Sequence, residues 1–303
     1  MPLRGLGYLG FTSPDLAPWR SFATELLGLM PVPAASREAP APLRFRMDQR
    51  SWRVAVHRAP RGGLAYAGWE AADHAALDQV AARLRAADVA VETPSADEHA
   101  ARGVTSLLRF RDPWGHIHEV FSGAMHDFDS EFISPAGVSG FVTENGIGHL
   151  LLTVPDFRQA EAFYTRALGL RVTDRMDMGG GHGAVFLRAS PRHHSLALTD
   201  VLPQAGLHHF MLETRRLEDV GRAWDRVQDR RVPIQMTLGQ HANDPLVSFY
   251  AETPGGFGVE VGWNGLLIDE ARWAVRDFSG RGEIWGHRGV AMEAITEARA
   301  KAG

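Results

Sequence analysis

Polar and apolar positions alternate along this chain with two different periods. In HLLLTV (149–154), LHHFML (207–212) and VEV (259–261), one alternating row is apolar throughout: Leu150, Leu152 and Val154; Phe210 and Leu212; Val259 and Val261. Neighbouring side chains of a strand point to opposite faces of its sheet. These rows therefore predict three strands packed on one side, with His149, His209 and Glu260 on the other. The same count puts His208 on the face of Phe210 and Leu212. Helical spacing runs through AALDQVAARLRAA (75–87) and LEDVGRAWDRVQDR (217–230), which read as amphipathic helices.

The pattern repeats. Residues 5–30 align without a gap on 146–171, with 11 of 26 positions identical. The shared content is a strand, then Pro-Asp, then an amphipathic helix from Trp19 or Ala160 that stops at Leu-Gly, where Gly suits a helix C-terminus. A weaker correspondence links LAYAGWE at 64–70 with LHHFMLE at 207–213, each followed by a helix. Each half then ends in a strand pair around a Pro-Gly turn, with Pro113 on Pro254 and Glu119 on Glu260. The expectation is an α+β fold of four βαβββ modules, two per domain. Each domain is a cupped mixed sheet, an open barrel with its helices outside. Residues 1–136 read as an N-terminal domain, 137–275 as a C-terminal domain, and 276–303 as a tail, with a connector at about 123–145.

The halves differ where their repeats should agree. Against His149, His209 and Glu260 the first half sets Tyr8, Tyr66 and Glu119. A phenol titrating near 10 is a poor ligand at neutral pH, whereas two imidazoles and a carboxylate form the facial triad that suits non-haem Fe(II). A lone histidine on a strand is ordinarily a hydrogen-bonded core or surface residue. Three ligand types at one cup position each, from three strands of a repeat, point instead to a metal in the second half and a degenerate first half without one.

Composition narrows the chemistry. The 303 residues include no Cys, so a metal must be held by His, Asp or Glu, and 14 His are present. Lys plus Arg is 32 against 36 Asp plus Glu, a net charge of −4, with no basic run long enough to follow a phosphate backbone. Nucleic acid is not an expected partner. No apolar stretch reaches the roughly 20 residues of a membrane span, and the start lacks a signal-peptide core. A cytoplasmic enzyme is expected. Gly179–Gly183 carry no Lys-Ser/Thr or helix start of a phosphate loop and read as a flexible loop at a pocket rim.

Further stretches carry a resemblance. Gly239, His241, Phe249-Tyr250, Thr253-Pro254, Gly256 and Glu260 fit the signature of the type I extradiol ring-cleaving dioxygenases of the vicinal oxygen chelate superfamily. With GIGH (146–149), PRHHSLAL (191–198), QHANDPLVSFY (240–250) and IWGH (284–287), the chain most resembles their two-domain 2,3-dihydroxybiphenyl 1,2-dioxygenase group. The resemblance implies Fe(II), in a few relatives Mn(II), on His149, His209 and Glu260. It implies His194 as the acid/base residue, His241 and Tyr250 at the substrate hydroxyls, Asn243 and Asp244 in the polar shell, and Leu151, Phe186 and Ala197 around the ring. The partners implied are a catechol and O2, and homo-octamers or smaller homo-oligomers occur in the family. Two departures are visible: Gln240 stands where relatives commonly have Arg, and the segment 176–186 looks shorter.

The substrate so implied is a bicyclic or substituted catechol such as 2,3-dihydroxybiphenyl, with a dihydroxynaphthalene, a steroid-derived catechol or an alkylcatechol as alternatives. Two other readings of the architecture stand beside it. One is a glyoxalase-like metalloenzyme, isomerase or thiol transferase, which would not need His194, His241 and Tyr250. The other is a metal-free small-molecule binder.

Overall fold

The computed structural model describes residues 1–33, 41–280 and 282–289. Its first eight strands are β1 (Leu3–Ser13), β2 (Met30–Pro31), β3 (Leu43–Arg46), β4 (Val54–Arg58), β5 (Gly63–Ala71), β6 (Val91–Glu92), β7 (Val104–Arg111) and β8 (Ile117–Ala124). They form one sheet in the order β2-β3-β4-β1-β5-β8-β7-β6. Ten more follow: β9 (Leu150–Thr153), β10 (Arg171–Gly179), β11 (His182–Arg188), β12 (Leu196–Thr199), β13 (Gly206–Thr214), β14 (Ile234–His241), β15 (Val247–Glu252), β16 (Gly258–Trp263), β17 (Arg276–Ser279) and β18 (Glu283–Trp285). Their order is β17-β10-β11-β12-β9-β13-β16-β15-β14-β18, whose inner eight repeat the first sheet strand for strand. The predicted module of one strand, a helix and three strands thus occurs four times, two per sheet. At each centre the opening strands pair antiparallel, β1 with β5 and β9 with β13. Neither sheet closes into a barrel.

The segment from 276, read from sequence as a tail, supplies both edges of the second sheet. β17 runs parallel to β10 and β18 antiparallel to β14. A free edge exposes unpaired backbone groups, and these short strands satisfy them. The loop expected at 179–183 is the turn of the β10–β11 hairpin, with Gly179, Gly180 and Gly181 all at positive φ.

The helices are α1 (Ala17–Ser21), α2 (His74–Ala86), α3 (Ala96–Arg102), α4 (Phe157–Ala167) and α5 (Leu217–Asp229). The Asp of the repeated Pro-Asp caps α4, where Asp156 Oδ1 accepts from Arg158 N at 2.9 Å and Gln159 N at 3.0 Å. In the first module Asp15 sits one residue before the cap position of α1, and its Oδ1 accepts from Ala17 N at 3.0 Å. In the first module α1 is short and widens into a π-helical turn over Phe22–Leu26. Helix α3, which the apolar spacing did not announce, has a Ser95/Glu98 capping box and buries no residue, so it leaves no amphipathic trace.

The halves share one core. Phe11 of β1 lies 4.6 Å from Phe210 and 5.0 Å from Phe257, ring centre to ring centre. Polar groups are matched across the same boundary. The buried Tyr164 hydroxyl of α4 donates to Asp112 Oδ2 at 2.6 Å and lies 2.9 Å from His118 Nε2. Asp112 is held well below the ordinary carboxylate range: burial works against its charge, and His116 and His118 outweigh that. Tyr164→Phe leaves His118 Nε2 without this partner in a dry site. It is expected to cost about 1–3 kcal/mol in denaturant unfolding, with little change in the denaturant slope.

Candidate metal centre and aromatic pocket

Three central strands of the second sheet bring the candidate ligands together. His209 stands on β13 and Glu260 on β16, its parallel neighbour. His149 precedes β9 by one residue rather than lying within it, and its carbonyl accepts from Met211 N at 2.9 Å. Gly148 makes that approach possible. It sits at φ +37°, and a Cβ there would fall 1.8 Å from Met211 O. The opposite faces carry the predicted apolar rows, all buried in the core.

His149 Nε2 lies 3.1 Å from His209 Nε2 and 3.1 Å from Glu260 Oε2, and His209 Nε2 lies 3.6 Å from the same oxygen. Ligands at about 2.1 Å from one ion, set at right angles, are about 3 Å apart. No donor is aligned on Glu260 Oε2, although the residue is 0% exposed. An orphaned carboxylate oxygen facing two imidazole nitrogens fits a divalent cation. Burial, then His208 beside it, holds His209 well below the usual imidazole range, so its ring is neutral with a lone pair to offer. Burial opposes the charge of Glu260, but the His149 and His241 imidazoles close beside it outweigh that and hold its carboxyl well below the usual range.

The triad forms the floor of a cavity of about 160 Å³. Leu151, Phe186 and Ala197 line it, as do His194, His241, Asn243, Asp244 and Tyr250. The ligand, catalytic and substrate residues expected in the second half therefore all line one cavity. His241 Nε2 is 2.8 Å from the Tyr250 hydroxyl and 3.3 Å from Glu260 Oε1. Burial, then Glu260, raises Tyr250 well above the ordinary phenol value, so it stays a neutral donor. His194 is pushed well below the usual range by burial, then by His149, whose ring centre is 4.0 Å away. Asn243 Nδ2 has no protein partner. Asp244 Oδ1 accepts from Leu266 N at 2.7 Å, and burial raises its carboxyl.

His208 departs from the strand count. It lines the cavity, half-buried, rather than sharing the packed face of Phe210, because β13 carries a bulge against β9 between Leu207 and His209. A bulge adds a residue and breaks alternation there. Gln240, the departure from the family pattern, accepts from Trp285 Nε1 at 3.0 Å and donates to Pro245 O at 2.9 Å, tying the 241–245 turn to β18.

Several site residues were given no role from sequence. Ser248 donates to Glu260 Oε1 at 2.6 Å; it shares the β15 face of Tyr250, a period-two signal that was available. The His287 ring centre lies 4.2 Å from that of His241, and its Nε2 is 3.0 Å from Ser248 O. Gly239 admits this segment, since a Cβ there would sit 2.4 Å from His287 N. Met176, Met178 and Met236 complete much of the apolar wall.

In the first half the corresponding cup is filled. Glu119, also 0% exposed, accepts from Tyr8 at 2.7 Å and from Arg102 at 2.7 and 2.9 Å, while Arg109 reaches Oε1 at 2.8 Å. The Arg102 guanidinium lies 3.9 Å over the centre of the Tyr66 ring. Tyr8, Trp52, Tyr66 and Phe121 pack the remaining space. Tyr8 and Tyr66 stand where the second half has its imidazole pair, and an internal cation from α3, Arg102, meets the carboxylate.

Comparison with known proteins identifies the family. Residues 146–261 match the Glyoxalase/Bleomycin resistance protein/Dioxygenase superfamily, and residues 6–58 match the first domain of dihydroxybiphenyl dioxygenase BphC. The chain is 44% identical to a biphenyl-2,3-diol 1,2-dioxygenase of Paraburkholderia xenovorans, covering 99% of this chain and 100% of that one. The chain belongs to the extradiol ring-cleaving dioxygenases. Among other members it is 33% identical to an iron-dependent extradiol dioxygenase of Rhodococcus jostii, over 95% of this chain and 97% of that one. A solved structure of BphC, a halotolerant catechol dioxygenase, superposes with a TM-score of 0.89 at 34% identity, covering 96% of each chain.

The asymmetry between the halves of this family member predicts metal content directly. After anaerobic loading, elemental analysis should give about one ion per chain for the native protein and for Tyr8→Ala. His149→Ala should hold less than roughly a tenth of that.

Proposed function

We propose that this protein cleaves a bicyclic or substituted catechol, such as 2,3-dihydroxybiphenyl, at the ring bond beside its two hydroxyls, inserting both atoms of O2. His149, His209 and Glu260 would hold Fe(II); Mn(II) suits the same ligands. The bound ion supplies the redox chemistry that O2 requires and lowers the pKa of a catechol hydroxyl. What carries this reading is the cavity. An apolar wall opens onto a carboxylate and two imidazoles at one end, with a cluster of proton-handling groups around them.

The side chains divide the remaining work. Leu151, Ala197 and Phe186 present flat apolar contact to a ring and keep water from its face. A cavity of similar size, about 150 Å³, accommodates benzene in another protein. One ring therefore fits the 160 Å³ here, and its substituent extends toward the half-buried Met178, Val201 and His208. Tyr250 and His241, already hydrogen-bonded to each other, orient the hydroxyl groups, and Asn243 offers its free amide. His194 accepts a hydroxyl proton and later returns it. Asp244 shapes the polar end by holding Leu266 N.

No Lys or Arg among the described residues lines the cavity, while Asp244, Glu260 and Glu283 do. A carboxylate on the substrate would meet no partner there. We further propose 1–136 as the degenerate domain, 137–275 as the catalytic domain and 276–303 as a C-terminal tail, of which 281 and 290–303 lie outside the described residues. A cytoplasmic homo-oligomer completes the proposal. Its support is the absence of cysteine, the absence of any sufficiently long apolar helix among the described residues, and the exposed Met125, Phe128 and Ile133 on the connector.

The test is oxygen uptake and product absorbance after anaerobic iron loading, over a panel of catechols in air. 2,3-Dihydroxybiphenyl and alkylcatechols should give a yellow ring-opened product, and catechols bearing a carboxylate should be at least about tenfold poorer in kcat/KM. A strong preference for the carboxylated compounds would overturn the substrate assignment. His194→Ala should retain iron and catechol binding and lose about 10²–10⁴ in turnover.

A further inference from the structure

Behind His194 runs a line of buried polar groups with no part in the reaction as described. His193, 0% exposed, places Nδ1 3.0 Å from His194 Nδ1 and Nε2 2.8 Å from Asp174 Oδ2. Asp174, also 0% exposed, is gripped at both oxygens by Arg276, each contact 3.0 Å. Arg276 reaches in from β17 and donates in addition to Asn243 O at 3.1 Å. The backbone of His193 is pinned on both sides: its N–H donates to Leu266 O at 2.9 Å, and its carbonyl accepts from Thr173 Oγ1 at 2.7 Å. Trp273 stands edge-on to the His193 ring and lies beneath the Arg276 guanidinium. This line crosses three elements and has no role in holding the ion.

Hydrogen-bond direction settles its consequence. A carboxylate has no proton to give, so His193 Nε2 is the donor to Asp174. A neutral His193 then presents a bare Nδ1, and the proton in its 3.0 Å contact comes from His194 Nδ1. That leaves His194 Nε2 unprotonated, on a ring that lines the cavity. Asp244 Oδ2 lies nearer His194 Nδ1, at 3.7 Å, than His193 Nδ1, at 4.0 Å, which favours the shared proton on His194. We propose that His193 and Asp174 are positioning residues that hold His194 in the tautomer whose Nε2 is the base, with Arg276 fixing Asp174. The inference rests on the extradiol reading of the site. The O–H bond of the substrate hydroxyl breaks, its proton joins Nε2, and the imidazolium so formed is stabilised through His193 by Asp174. The proton returns to the ring-opened product, so no further reactant is consumed. A base oriented by a second group, which a buried carboxylate orients in turn, follows the logic of the hydrolase triads on an unrelated fold.

The experiment measures oxygen uptake with 2,3-dihydroxybiphenyl for iron-loaded native protein, Asp174→Asn, His193→Phe, His193→Gln and Arg276→Gln. Asp174→Asn and His193→Phe should lose about 10–100-fold in kcat, with KM and iron content within about twofold of native. His193→Gln, whose amide oxygen can accept from His194 Nδ1, should recover about tenfold over His193→Phe. Arg276→Gln, at a side chain that is 47% exposed, spares the core and should lose about 3–10-fold in kcat alone. Turnover within twofold of native in both buried variants would overturn the proposal. So would equal losses in His193→Phe and His193→Gln that follow iron content. If the iron-loaded native protein takes up no oxygen with any catechol, the extradiol reading itself fails and the inference falls with it. An active native protein with unaffected variants sinks the inference alone.

Discussion

A carboxylate buried on a central strand of a cupped sheet must face a cation, and both halves of this protein are built around that requirement. Glu119 and Glu260 occupy equivalent places on β8 and β16, and neither is exposed to water. A charge taken out of water at this depth is costly unless paired and hydrogen-bonded. The first half answers with its own guanidinium, Arg102, delivered by a short helix between strands. The second half supplies two imidazole nitrogens and leaves one carboxylate oxygen without an aligned donor.

The two answers have opposite effects on the rest of each cup. Where the cation is a side chain, the space around it can be packed solid, and four aromatic rings occupy it. Where the proposed cation is a small ion, an open cavity remains beside it with apolar walls. The filled half still serves the other. Phe11 packs on Phe210 and Phe257, behind the strand that carries His209, and Asp112 accepts from Tyr164 across the same boundary. Rigid backing of this kind keeps a ligand set in register.

The supports around the triad come from far along the chain. Ser248 holds one oxygen of Glu260, His287 leans on His241, and Arg276 binds both Asp174 and the backbone of Asn243. Two of these belong to the final segment, whose strands lie at opposite edges of the sheet. Arg276 and His287 are 11 positions apart in sequence, and the strands that carry or adjoin them, β17 and β18, pair with β10 and β14 at the two edges of the sheet.

Repetition and period-two alternation were legible from the residues alone, because each is a local regularity that burial imposes on every copy. They yielded the four modules, the central placement of His149, His209 and Glu260, and the contrast with Tyr8 and Tyr66. Other features left no local trace. The bulge that turns His208 into the cavity is a mismatch between two strands, and a property of a pair is not written in either one. Arg102 on an exposed helix looks like any surface cation until the fold closes it over Tyr66. Which group meets Glu119, which strands complete the sheet edge and which nitrogen of His194 is free are decided by contacts between residues distant in sequence, so only the tertiary structure could decide them.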